Sequence, residues 1–326
     1  MSTSPFAARA VSQLLHRPPS GGVVEVVRGL LAVQAQDVAA FPLAFRARMD
    51  GVTRDEVDAV RDERSVLRCW GPRGTLHLVA AEDAGWFLPL VRGSAAASLR
   101  RLRELGREMS YEDALCRIGR ALAGQGPLTK AELGARLGEE GQAIVHLAAL
   151  GAHAGLVMLG AEHGGRTTYV HTVDWLGAPL PEAPTDVEKA LRELVLRYRR
   201  AHHPCAPEDL ALWSGLPLRS IRRSWRELPE PPAPEDSSSF IRLLPAYDEY
   251  LLGWTDRPVP ESHRRDVHPG GGVLRPVVVA DGRITGVWPG GRLELWEPAD
   301  CSAELTDLTR FQQPSRSQVA GRRRRR

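Results

Sequence analysis

The sequence has almost no lysine, few cysteines and no long apolar run, and each absence removes a class of function. Of 43 basic residues only Lys130 and Lys189 are lysines, so a mechanism that needs an amine nucleophile has very few candidates. The four cysteines, Cys69, Cys116, Cys205 and Cys301, form no CxxC pair and no Cys/His cluster at zinc spacing; disulfides, structural zinc and iron–sulfur clusters are not expected. No apolar run approaches the about 18 residues that span a bilayer, and MSTSPFAARA carries no signal-like core. The expectation is a cytoplasmic, metal-free and cofactor-free protein with no membrane partner. GxSxG and HExxH are also missing, and the glycines of Pro269 to Gly272 precede a strand pattern instead of a phosphate-cradling helix. His202, His203, His263 and His268 show no ligand periodicity and read as surface histidines.

What is present is ordinary globular composition: 326 residues, 43% hydrophobic, 25% charged and a net charge of +3. That length allows two or three domains with buried cores. Arginine supplies nearly all the cations. A GC-rich genome gives such a skew, and arginine's planar fork also suits phosphates and bases.

Three times the chain runs from helical patterns into apolar strands near glycine. The first unit has helical periodicity in Phe6 to His16 and Val23 to Val33, a helix opened by Thr53-Arg54-Asp55-Glu56, and a hairpin of Val66 to Trp70 and Arg73 to Val79 about Gly71-Pro72. The second has Tyr111 to Ala123, a capping box at Thr129 and Glu132, a helix through Ile144 to Ala154, and strands at Leu156 to Leu159 and Thr167 to His171. The third has Val187 to Ala201, a helix opened at Pro207 and another over Leu218 to Leu228. Its strands follow a Pro/Ser-rich segment at Phe240 to Leu244, Val273 to Val279 and Ile284 to Trp288. Helix, helix, helix, hairpin is the order of a winged helix, whose third helix enters a major groove. The fold class is therefore α+β, mostly helical, with three tandem winged helix-turn-helix domains at 1–108, 109–180 and 181–311. Residues 312–326, ending in five arginines, form a basic tail expected to be disordered.

Four stretches resemble the AlkZ/YcaQ family of winged-helix DNA glycosylases. They are Leu30-Leu31-Ala32-Val33-Gln34-Ala35-Gln36-Asp37, Arg73-Gly74-Thr75-Leu76-His77-Leu78-Val79, Leu243 to Gly253 (LLPAYDEYLLG) and Pro269-Gly270-Gly271-Gly272-Val273-Leu274-Arg275-Pro276. The resemblance implies a C-shaped arrangement of the three domains around duplex DNA and hydrolysis of N7-alkylated purine nucleosides. It extends to unhooking of interstrand crosslinks in some members. Gln34-Ala35-Gln36 matches the family's reactive motif in its Gln-x-Gln form, which makes Gln34 and Gln36 the candidate catalytic residues. His268 stands where the family pattern has Asn.

Residues two apart diverge on a helix but share a face on an extended segment, so the glutamines converge only beyond a helix end. Pro42 disfavours helix at Phe41 and suits that geometry. Neutral amides are poor general bases, which fits a substrate whose leaving base already carries positive charge. Their carbonyl oxygens can orient a water and stabilise an oxocarbenium-like sugar. A purely structural role, with both amides bonded to nearby backbone, is the competing reading. Asp37 reads as a cap. Asp248 and Glu249, being adjacent, diverge and read as structural or docking residues. Arg73, Thr75 and His77 alternate with apolar residues and form either a solvent face or a DNA-contacting one. The expectation is a monomeric, monofunctional glycosylase acting on double-stranded DNA with alkylated purines. The alternative is a non-catalytic winged-helix regulator or a damage-sequestering protein.

Overall fold

The computed structural model describes residues 4–18, 21–93, 95–234 and 239–313; the arginine run of the tail lies outside them. The first stretch contains α1 (Pro5–Ser12), α2 (Val23–Leu30), β1 (Val33–Gln34), α3 (Pro42–Arg48), α4 (Arg54–Asp62), β2 (Val66–Trp70) and β3 (Leu76–Ala80). Thr53 and Glu56 form a reciprocal capping box on α4, which satisfies two otherwise unpaired donors at the helix start. Two helices that the sequence patterns did not reveal follow, α5 (Ala84–Val91) and α6 (Ala95–Glu104).

The second stretch contains α7 (Tyr111–Leu122), β4 (Leu128–Thr129), α8 (Lys130–Leu137), α9 (Gln142–His153), β5 (Val157–His163), β6 (Arg166–His171) and the short α10 (Thr172–Leu176). The capping box of Thr129 and Glu132 forms on α8. From α2 and from α7 the order is the same: helix, strand, two helices, two strands. The pairing is the same as well, since β1 pairs with β3 as β4 pairs with β6. Arg68 on β2 lies opposite Leu159 on β5. The result is one six-stranded antiparallel sheet in the order β1-β3-β2-β5-β6-β4, which runs across residue 108.

The third stretch contains α11 (Val187–Ala201), α12 (Pro207–Ser214), α13 (Leu218–Glu227), β7 (Ile241–Leu244), α14 (Arg264–Val267), β8 (Val277–Ala280), β9 (Arg283–Val287), β10 (Glu294–Leu295) and α15 (Ser302–Gln312). Its sheet is a simple meander, β10-β9-β8-β7. The strand expected from Val273 begins only at Val277, because Val273 instead bridges Gly270 within the glycine-rich turn.

Packing separates the helices of this stretch from its strands. Leu194, Val195, Tyr198, Leu210, Trp213 and Ile221 share a core with Leu31, Leu67 and Phe87 of the first stretch. Leu244, Val277 and Ile284 pack instead with Ala10, Leu15 and Ala47. A buried ion network ties α15 to α3: Glu304 accepts from Arg46 at 3.0 Å and from Arg17 at 2.7 Å. Among the described residues no helix is long and apolar enough to cross a membrane.

Candidate active site

The Gln34–Gln36 segment begins where α2 is forced to end. Leu31 takes a left-handed φ of 72° with its side chain fully buried, a conformation costly for a residue with a Cβ, and it turns the chain out of the helix. The helical pattern read through Val33 therefore stops at Leu30. Val33 and Gln34 then pair with Leu78 and His77 at the edge of the six-stranded sheet.

Backbone contacts hold this segment from several sides. The Ala35 N–H donates to the Leu76 carbonyl at 2.8 Å, and the Ala35 carbonyl accepts from the Arg68 Nε at 2.9 Å. The outward N–H of Gln34, on the edge strand, donates to Glu249 Oε1 at 2.7 Å. Asp37 closes the segment as a cap, its Oδ1 accepting from Ala39 and Ala40 N–H at 2.8 and 3.2 Å. Phe41 is helical (φ −58°, ψ −32°) despite Pro42. The exit from helix geometry is therefore made by Leu31, not by Pro42.

The two glutamine amides are used differently. Gln36 is exposed, and its Oε1 accepts from the Leu76 N–H at 3.2 Å, so one lone pair is committed and a second is free. Gln34 is 9% exposed, and its Oε1 is buried without a hydrogen-bond partner. Such an orphan oxygen costs about 1–3 kcal/mol and calls for an explanation, of which a functional role is one.

Arg73, Thr75 and His77 do not form one strand face, because β3 starts only at Leu76. Arg73 sits before it in a tight turn at φ 57°. Its guanidinium donates to the carbonyls of Leu212, at 3.2 Å, and of Trp213, near the C-terminus of α12 where cations are favoured. It remains exposed. Thr75 Oγ1 donates to the Pro72 carbonyl at 3.0 Å. His77 is fully buried and has no surface for a phosphate; the expectation that it contacts DNA is corrected on that ground. Burial pushes its imidazole down to about 3.

Arg68 and Trp213 at the segment have no distinctive sequence signal, and Glu249 stands in an acidic pair that the sequence reads only as structural or docking. The adjacent carboxylates do diverge. Asp248 is buried in a two-pronged pair with Arg48, at 2.7 and 2.8 Å, while Glu249 turns under Gln34. Burial pushes the Glu249 carboxyl up to about 7, against the lowering effect of the Trp213 indole N–H. Its signal in the sequence is the pair of charges within Leu243 to Gly253, one of the stretches that carry the family resemblance.

Arg73, Arg257, His268, Gly270 and Gly272 line an open pocket of about 320 Å³, and among the described residues no carboxylate lines it. Arg257 Nη1 lies 3.0 Å from His268 Nε2, and the Arg257 Nε is buried without a partner. The pocket brings together the Arg73 and glycine-rich stretches of the sequence.

Residues 27–292 match the model of the family described as DNA glycosylase AlkZ-like. A curated relative from Streptomyces sahachiroi, named interstrand DNA cross-link repair glycosylase, is 27% identical over 320 residues, covering 87% of this chain and 86% of its own. The solved structure of Streptomyces sahachiroi DNA glycosylase AlkZ superposes with a TM-score of 0.72 at 25% identity, over 88% of each chain. The mixed α/β architecture is common to both structures. With the family model covering both the glutamine segment and the Leu243 to Gly253 stretch, the chain belongs to the AlkZ-like family of DNA glycosylases.

Proposed function

We propose that this protein is a monofunctional glycosylase that hydrolyses the N-glycosidic bond of N7-alkylated purines in duplex DNA, with interstrand crosslinks joined through such purines as further substrates. The observation that carries the reading is the Gln34 carbonyl oxygen, buried and unpartnered two residues along the chain from Gln36. An N7-alkylguanine is already cationic and leaves without protonation, so no strong acid or base is needed. Gln36 orients the attacking water through its free lone pair. Gln34 supports the water or the developing sugar cation from the other side, in a low-dielectric setting where a fixed carbonyl dipole counts most. The name of the Streptomyces sahachiroi relative supports the crosslink substrate.

The repeated helix, strand, helix, helix, hairpin order supports reading the chain as tandem winged helices, with units at 1–108, 109–180 and 181–311 curving around the duplex in a C shape. The third unit is the most divergent, since its helices and strands serve separate cores. Arg73, with Thr75 beside it, is the proposed DNA contact; the carboxylate-free wall it shares with Arg257 suits a phosphate oxygen,. Action as a monomer is part of the same proposal.

The test is incubation with a duplex carrying a single N7-methylguanine, followed by alkaline cleavage. Release of the base and an alkali-labile site are expected. Tight binding of the lesion without release would favour a sequestering protein.

A further inference from the structure

Below the glutamine segment lies a carboxyl group that the hydrolysis just described does not use. Glu249 is 2% exposed. Its Oε1 accepts from the Gln34 N–H at 2.7 Å and its Oε2 from the Trp213 indole N–H at 3.0 Å. Trp213 is itself fully buried and packed against Tyr198 and Phe87. The carboxyl thus joins the edge strand β1 to a rigid aromatic wall on α12.

A third neighbour completes the arrangement. His77 Nδ1 lies 3.1 Å from the Thr75 carbonyl, which can only accept, so the ring proton belongs on Nδ1,. His77 Nε2 is then a bare acceptor, buried without a hydrogen-bond partner, 3.6 Å from Glu249 Oε1. Nearby charges are Arg73, which favours the carboxylate, and Asp248, which disfavours it and is itself paired with Arg48. Burial raises the carboxyl to about 7, while its two oxygens each accept one N–H.

We propose that Glu249 is the positioning residue of the glutamine pair: it takes up the outward N–H of the edge strand at Gln34 and fixes that residue against Trp213, leaving the Gln34 side-chain carbonyl unspent. This inference rests on the reading of Gln34 and Gln36 as the catalytic pair. Two donors converge on Glu249, so the site requires two acceptor oxygens. Glutamine supplies one oxygen and an NH2 group and cannot satisfy both donors. Aspartate keeps both oxygens on a shorter arm.

The experiment compares the full-length parent with Glu249→Gln, Glu249→Asp, Trp213→Phe, Gln34→Ala and Gln36→Ala, and with the combined Glu249→Gln/Gln34→Ala protein. Single-turnover release of N7-methylguanine at saturating protein, Kd for the same duplex and the circular-dichroism melt are measured for each. Glu249→Gln is expected to slow release by roughly tenfold or more, with Kd unchanged. Glu249→Asp should recover part of the rate. In the Gln34→Ala background Glu249→Gln should cost clearly less than in the parent, because it acts through Gln34. An equal cost in both backgrounds, or a parent rate in Glu249→Gln, overturns the positioning role. If Glu249→Gln does not fold, Trp213→Phe, which frees only Oε2, carries the test: it should slow release at unchanged Kd, and a parent rate overturns the proposal. If Gln34→Ala and Gln36→Ala both release base at the parent rate, the catalytic reading itself fails. A slow Gln34→Ala beside an unimpaired Glu249→Gln defeats only the inference about Glu249.

Discussion

Arg68 donates its Nε–H to the Ala35 carbonyl at 2.9 Å, so strand β2 grips the residue between the two glutamines. The same guanidinium reaches Glu162 at 3.1 Å and Thr167 Oγ1 at 3.0 Å. One buried side chain therefore ties the glutamine segment to the β5–β6 hairpin of the second stretch.

Replacing Arg68 by Lys keeps the charge but loses the planar fork that serves three acceptors at once. The excision rate should drop by about tenfold, through displacement of the segment, with a smaller loss of affinity. Single-turnover kinetics and titration of the lesion duplex would separate the two; an unchanged rate means that the Arg68 contact does not set the geometry of the glutamines.

Gln36→Ala should reduce the excision rate by roughly 10²-fold, the scale of a lost transition-state hydrogen-bonding group, while lesion affinity stays close to the parent. Gln34→Ala should show the same pattern. The double variant should lose less than the product of the single losses if both amides hold one water. Gln36→Asp, which preserves an oxygen acceptor, should retain part of the rate. Parent-like excision by both alanine variants would leave the glutamines with a structural role only.

Excision should persist in EDTA and should leave an abasic site without prompt strand scission. Among the described residues no group of three His, Cys, Asp or Glu side chains could hold a metal ion. The only lysines, Lys130 and Lys189, sit at the start of α8 and in the first turn of α11, so amine attack on the sugar is not expected. A borohydride-trapped protein–DNA adduct, or activity lost to chelator and restored by a divalent ion, would contradict this.

Acid should destabilise the fold through two buried histidines, His77 and His202, the second of which the sequence pattern places at the surface but packing seals inside. Burial pushes His77 and His202 down to about 3, so the folded chain keeps both neutral while the unfolded chain binds protons below about 6.5. Each removes at most about 1.4 kcal/mol per pH unit as pH falls below that value. Glu249, raised to about 7, acts in the opposite sense: between about 4.5 and 7 the folded chain holds the extra proton, and stability declines as pH rises. The net loss should be shallow from pH 6.5 to 4.5 and steeper below. His202→Asn can keep the donor to the Tyr198 carbonyl and removes one titrating group. Urea melts at pH 7.5, 6 and 5 should show a flatter acid limb for it, and an identical limb would rule out His202 as a source.

Much of the local architecture was legible in the sequence because it is set within a few residues. The capping box at Thr129 with Glu132 forms as its spacing demands, and the helix opened at Thr53 starts where the sequence put it. Asp37 caps its turn, and the α7 to α9 helices and the β5–β6 hairpin lie close to where periodicity put them. The Gln34-Ala35-Gln36 motif was visible for the same reason, as a short string of residue types. Its geometry was not. The helix ends at Leu30 because the buried Leu31 takes a left-handed φ, which periodicity cannot reveal. Arg73 and His77 were assigned a common face by alternation alone, yet the strand begins between them and one of the two is sealed inside. The partners of the glutamine segment come from far along the chain: Glu249 is 215 residues from Gln34, and Arg68 is 33 from Ala35. Sequence determined which residues could do the chemistry. Only tertiary packing, by burying a carboxyl under an edge strand and leaving one amide oxygen without a partner, decided how they are held.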